Sequence, residues 1–160
     1  MTPRAKLMII CGVAIVLVTG GLRQSFGVFL KPISLDLDIG RQMFGLVMAS
    51  QALLFGAFQP AAGFLADRFG AFRIISAGAV LYALGLWLAS QSATALDLWL
   101  SMGLLVGLGL SGATQVVVLG AVGKVVSNER RGMAFGLIIA AGSIGMFVFI
   151  PGAQSLLDTH

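Results

Sequence analysis

Arg23 lies well inside a run of otherwise apolar residues that starts at Leu7, and a cation in that setting is suited to holding an anion. A charge at the centre of a bilayer costs on the order of 3 kcal/mol on insertion scales, so it marks a substrate pathway more often than an accident of packing. Gly12, Val16, Thr19, Arg23 and Gly27 recur at helical spacing and are small or polar at most positions, consistent with an inward-facing stripe. A second reading stays open: Arg23 is about seven residues, roughly 10 Å by helix rise, from Leu30, close enough to snorkel to the outer interface. Further polar residues in apolar surroundings are Gln51 and Gln59, eight apart on one helix face; Gly107, Ser111 and Gln115 on another; and Ser143 with Gln154. Arg23, Gln51, Gln115 and Ser143 are the candidate substrate contacts. Each polar residue could equally make an interhelical hydrogen bond, worth about 0.6 kcal/mol on average.

Catalysis finds no support. His160 is the sole histidine and Cys11 the sole cysteine, and no two carboxylates share a helical turn inside an apolar stretch. Neither a disulfide, nor a metal site, nor a cofactor is expected. Gly107-x-Gly109-x-x-Gly112, with Glu129 about 20 residues beyond, matches a dinucleotide fingerprint. That motif needs a strand before it and an amphipathic helix after it, whereas these glycines interrupt an apolar stretch, so helix packing explains them better.

The elements that must position these residues are set by composition. The chain has 160 residues, 58% hydrophobic and 10% charged, with a mean hydropathy of +1.01, which places it among membrane proteins. Apolar segments run from Leu7 to Leu30, Met43 to Leu65, Ile74 to Ser90, Leu98 to Val122 and Met133 to Leu157, each long enough to cross a bilayer as a helix. The first resumes after Arg23 and offers no clear small-x-small cleavage site, which favours a retained helix over a signal peptide. The net charge of +4 and pI near 10.0 do not imply nucleic-acid binding, because the basic residues sit in the gaps between spans without aromatic interleaving. They alternate by side. Arg4, Lys6, Arg68, Arg73, Lys124, Arg130 and Arg131 fall on one face, and Lys31 and Arg41, in a connector with Asp36 and Asp38, on the other. The positive-inside rule therefore puts the amino terminus in the cytoplasm, with Trp99 at the outer boundary of the fourth helix. Small pairs at helical spacing, Gly103 with Gly107, Gly132 with Gly136 and Ala141 with Gly145, predict close helix approach, and Pro60 and Pro151 predict kinks.

The most specific stretch joins the second and third segments: Gly63-Phe64-Leu65-Ala66-Asp67-Arg68-Phe69-Gly70-Ala71-Phe72-Arg73. Gly63 offers a place for close helix approach, Gly70 permits a tight turn, and Asp67 and Arg68 set charges at a helix end. The stretch resembles the loop signature of the major facilitator superfamily at Gly63, Asp67, Arg68 and Gly70, with Arg73 as the late basic residue. Phe72 stands where a further basic residue is common. Arg23-Gln24-Ser25-Phe26-Gly27-Val28-Phe29, Asn128-Glu129-Arg130-Arg131-Gly132 and Ala141-Gly142-Ser143-Ile144-Gly145 with Pro151 are similar to bacterial relatives of oxalate/formate antiporters and monocarboxylate transporters.

The resemblance implies an all-α integral membrane fold, in which two six-helix halves rock about a central site. Helices one, two, four and five would line the cavity, with helix three outside, and the Gly63–Arg73 loop would latch the outward-open state. It further implies residence in the inner membrane and a small anionic substrate such as a monocarboxylate, with neither an enzymatic reaction nor a nucleic-acid partner. No Asp or Glu falls inside a span, so no carboxylate here offers a proton relay, which leaves anion exchange or coupling elsewhere. Five helices are fewer than a transporter of this kind needs. The expectation is that residues 1–160 form a partial amino-terminal half, inactive without the missing carboxy-terminal helices. The alternative is a small multispan assembly or accessory protein without transport activity.

Overall fold

The computed structural model describes residues 3–37 and 39–158. Asp38 and His160 lie outside the described residues, as do the side chains of Arg4 and Asp36. Every regular element among the described residues is helical: α1 (Pro3–Ser25), α2 (Leu30–Asp36), α3 (Arg41–Phe69), α4 (Ala71–Ala89), α5 (Ala95–Leu98), a π-helical turn (Trp99–Leu105), α6 (Val106–Gly112), α7 (Gln115–Gly123) and α8 (Asn128–Asp158). Five stretches are long and apolar enough to cross a membrane: Ala5–Ser25, Arg41–Phe69, Ala71–Ala89, Ala95–Gly123 and Asn128–Leu157. The chain is an all-α membrane protein with the number of spans the sequence predicts.

Span limits differ from the sequence reading in two informative places. The first helix ends at Ser25 rather than Leu30; residues 26–29 form a turn, and the chain resumes as the short α2. Pro32 explains the restart, because proline is tolerated in a first helical turn and breaks a helix interior. The fourth span is not one α-helix. It begins with a capping box, in which Thr94 Oγ1 accepts from Asp97 N and Asp97 Oδ2 accepts from Thr94 N at 3.1 Å. It then widens into the π-helical turn and breaks at Ala113–Thr114. Three glycines between Val106 and Gly112 weaken the helix before the break. The Ser111 hydroxyl turns back on Leu108 O at 2.6 Å, a bond that competes with the helical ladder.

The chain forms two compact units, one of α1, α7 and α8, the other of α2 to α6. In the first, α1 and α8 run parallel: Gly12 faces Ile138, Gly20 faces Gly142 and Gly21 faces Phe149. Closest approach falls at Gly145, where an added Cβ would collide with the Leu17 carbonyl oxygen and lie 2.9 Å from its carbon. Ile138, Ala141, Val16, Val117 and Val122 are among the buried residues of this unit. In the second unit α6 is held between α3 and α4. A Cβ at Gly107 would come within 3.0 Å of Gln51 O on α3, and one at Gly109 within 2.5 Å of Tyr82 N on α4. Without water to drive apolar surfaces together, such close backbone contacts supply the dispersion energy that holds helices in lipid.

Candidate functional site

α1 places Arg23 in its last turn, half-buried, followed by the exposed Gln24 and the buried Ser25 and Phe26. Two hydroxyls of this helix are committed to its own backbone: Thr19 Oγ1 donates to Ile15 O at 2.7 Å and Ser25 Oγ to Gly21 O at 2.9 Å. Because α1 ends earlier than the sequence predicts, Arg23 is nearer a helix terminus than its place in the apolar run suggested. The C-terminal end of the helix dipole favours a cation at this position. The expected stripe divides accordingly. Gly12 is buried against Val118 on α7 and Ile138 on α8, Val16 is buried against Gly142 on α8, Thr19 and Arg23 are half-buried, and Gly27 lies beyond the helix in the turn.

Ser143 is exposed on α8 and lines an open cavity of about 340 Å³ with Met146, Phe147, Ile150 and Pro151. Its neighbour Gly142 faces Gly20, and Arg23 is one turn further along the parallel α1. Gln115 opens α7 and is half-buried. It does not continue a face with Gly107 and Ser111, as sequence spacing predicts, because the break at Ala113–Thr114 starts a new helix.

Gln51 belongs to the second unit. It is only 4% exposed, and its amide Nε2 is buried with no hydrogen-bond partner among the described residues. The Gly107 contact fixes its backbone. A buried unsatisfied N–H costs about 1–3 kcal/mol, which a solute oxygen would recover. Gln59, on the same helix, is half-buried. The same unit contains a cavity of about 230 Å³ between α3, α4 and α6, lined by Ala62, Gly78, Leu108 and Ser111 among others; it is apolar and lined by no charged residue. Arg23, Gln115 and Ser143 thus sit in one unit and Gln51 in the other.

Sequence reasoning missed Tyr82. Its hydroxyl is buried with no hydrogen-bond partner among the described residues, on α4, a helix expected to lie outside any cavity. The signal available was that it is the only tyrosine in the chain.

The loop signature becomes a one-residue connection. α3 runs through Asp67 and Arg68 to Phe69, Gly70 turns the chain at φ 96°, and α4 begins at Ala71. Gly70 N donates to Ala66 O at 3.0 Å, closing the last turn of α3. A positive φ of this size is where glycine is required. Arg68 sits over the Phe69 ring, 5.5 Å from its centroid, and Arg73 is exposed in the first turn of α4. A Cβ at Gly63 would meet nothing within 4 Å, so the close approach expected there involves none of the described residues. The dinucleotide-like triplet lies wholly inside α6, where Gly107 meets α3 while Gly109 and Gly112 meet α4.

Comparison with known proteins agrees with this architecture. Residues 10–160 match the family model described as the Major Facilitator Superfamily. Monocarboxylate transporter 11 of Mus musculus is 30% identical over 139 residues, covering 87% of this chain and 31% of the relative. Monocarboxylate transporter 13 of Rattus norvegicus is 32% identical over 142 residues, covering 88% and 32%. An uncharacterized MFS-type transporter, YhjX of Escherichia coli (strain K12), is 30% identical over 165 residues, covering 99% and 40%. The chain therefore spans about a third of the length of the relatives it matches. With its apolar helices, its glycine-turned Asp67-Arg68 loop and a match over nearly all its residues, the chain belongs to the Major Facilitator Superfamily.

Proposed function

We propose that this chain is part of a carrier that moves a small organic anion, of the monocarboxylate class, across the inner membrane by alternating access, with its amino terminus in the cytoplasm. Arg23 carries the reading. It is a guanidinium held half-buried at the end of an otherwise apolar first span, and a planar fork of donors pairs with a carboxylate in two parallel hydrogen bonds. The names of the mammalian relatives support the substrate class. Gln51, Gln115 and Ser143 would each offer neutral hydrogen bonds to a solute, and the Gln51 amide Nε2 has no hydrogen-bond partner among the described residues. The Gly63–Arg73 turn would act as the latch of the outward-open state, since a single flexible glycine between two long helices concentrates any hinge there. Membership in this family points to a transporter rather than an enzyme. Transport would require helices beyond those of residues 1–160, by analogy with the longer relatives.

The test is uptake of radiolabelled monocarboxylates by cells expressing the full gene product. Arg23→Ala should abolish uptake at unchanged protein level, and Arg23→Lys should retain a fraction, since the charge remains and the fork is lost. Full carboxylate uptake by Arg23→Ala would remove Arg23 from the site.

A further inference from the structure

We propose that the basic end of the first unit binds an anionic phospholipid, holding the headgroup with Lys6, Lys124, Arg130 and Arg131 while the acyl chains lie along the exposed apolar surface next to them. The inference is independent of the transported substrate.

Three separate elements bring these cations to one level. Gly12 on α1 faces Ile138 on α8, and the helices run parallel. Lys6 precedes Gly12 by the same interval that Gly132 precedes Ile138, so Lys6 stands level with Gly132 and its neighbour Arg131. α7 ends against the same place, since a Cβ at Gly123 would come 3.2 Å from Phe135 Cζ and 3.9 Å from Arg131 Nε, and Lys124 follows directly. Arg131 Nε is buried with no hydrogen-bond partner among the described residues, so the stem of this side chain lies inside the junction. Lys6, Lys124 and Arg130 are exposed. Among the described residues at this end, Glu129 is the one carboxylate.

The surface beside the cations decides between ligands. Leu7 and Ile10 on α1 and Met133 and Leu137 on α8 are all exposed, within two turns of the charges. A free phosphate or a nucleic acid would use the cations and leave this surface bare. A phospholipid uses both, because its charge and its chains are joined at the spacing of an interface.

The experiment titrates the purified full gene product, in neutral detergent, with phosphatidylglycerol and in parallel with phosphatidylcholine, counting bound lipid by native mass spectrometry. Phosphatidylglycerol should bind at least about tenfold more tightly, and Lys124→Gln with Arg130→Gln should weaken it about 25-fold, at about fivefold for each cation removed near an anionic surface. Lys124→Arg with Arg130→Lys, which keeps the charge, should bind as the parent does. Lys31→Gln with Arg41→Gln, the same charge loss in a different connector, should also leave binding unchanged. Equal binding of the two lipids overturns the proposal, as does equal weakening by the Lys31 and Arg41 changes or loss in the charge-keeping variant. Competition by soluble glycerol phosphate or by a DNA oligonucleotide at concentrations matching the lipid would overturn it too, by showing a site that ignores the chains.

Discussion

Replacing Gly145 by alanine tests the contact on which the first unit depends. The new Cβ would collide with the Leu17 carbonyl oxygen and lie 2.9 Å from its carbon and 3.1 Å from its Cα, whereas ordinary contact begins at 3.4 Å. The obstacle is the backbone of α1, so no side-chain rotation relieves it. The helices must part by at least 0.5 Å, the difference between 3.4 and 2.9, and the neighbouring Gly20–Gly142 contact loosens with them. Overpacking of this kind costs about 1–3 kcal/mol, at the upper end where backbone opposes backbone. Alanine returns up to about 1 kcal/mol of helix propensity. The net is a loss of about 2 kcal/mol, close to thirtyfold in the folding equilibrium. Unfolding in mixed micelles of mild detergent and dodecyl sulfate, followed by far-ultraviolet circular dichroism, reads this as a lower midpoint. Gly136→Ala is the internal control, since a Cβ there meets nothing within 4 Å on the same helix. If the two variants unfold at the same midpoint, the close passage of α1 over α8 is wrong.

Gly70→Ala should destabilise the chain by about 1–3 kcal/mol in the same unfolding assay, because φ 96° with ψ 134° strains any residue with a Cβ. Gly63→Ala, seven residues earlier and with open space around it, should not. Gln51→Leu should stabilise the chain by about 1–3 kcal/mol by removing an unsatisfied buried donor, yet lower carboxylate uptake in the full gene product. Unchanged uptake would mean that Gln51 does not touch the solute. Thr94→Ala should cost about 1 kcal/mol through loss of the capping box, and hydrogen exchange at the start of α5 should rise.

The number and location of the spans were legible because lipid imposes a single requirement, a run of about 20 apolar residues, that a sequence displays directly. The turn at Gly70 was legible for a related reason: a glycine between two helix-forming stretches has few other uses. What stayed hidden was local. Nothing in Trp99–Leu105 announces a π-helical turn, since one extra residue in a helical loop changes hydrogen bonding without changing hydropathy. That turn and the break at Ala113–Thr114 shift which residues share a face, so the stripe drawn through Gly107, Ser111 and Gln115 failed at its last member. The Arg23 stripe shortened for the corresponding reason, because a straight helix to Leu30 was assumed where Pro32 starts a new one.

The glycines show most clearly what spacing reveals and what it withholds. Gly103 with Gly107 and Ala141 with Gly145 do sit at close helix crossings, against Ser50 and Gln51 in one unit and against α1 in the other. Gly132 with Gly136 has the same spacing, and neither residue has a neighbour within 4 Å of its missing Cβ; Gly45, Gly56 and Gly63 on α3 behave likewise. A small residue lowers the barrier to approach equally in every case, so sequence alone identifies surfaces that can be approached. Which of them are approached depends on the second helix, whose identity is carried by residues far away in the chain. In Gly109 that second partner is fixed by a reciprocal contact: its Cβ would strike Gly78 O and Tyr82 N, and a Cβ at Gly78 would strike Gly109 O at 2.7 Å. Two glycines on different helices each leave the space that the other's backbone fills, and that mutual dependence, rather than either spacing, is what sets the register of α4 against α6.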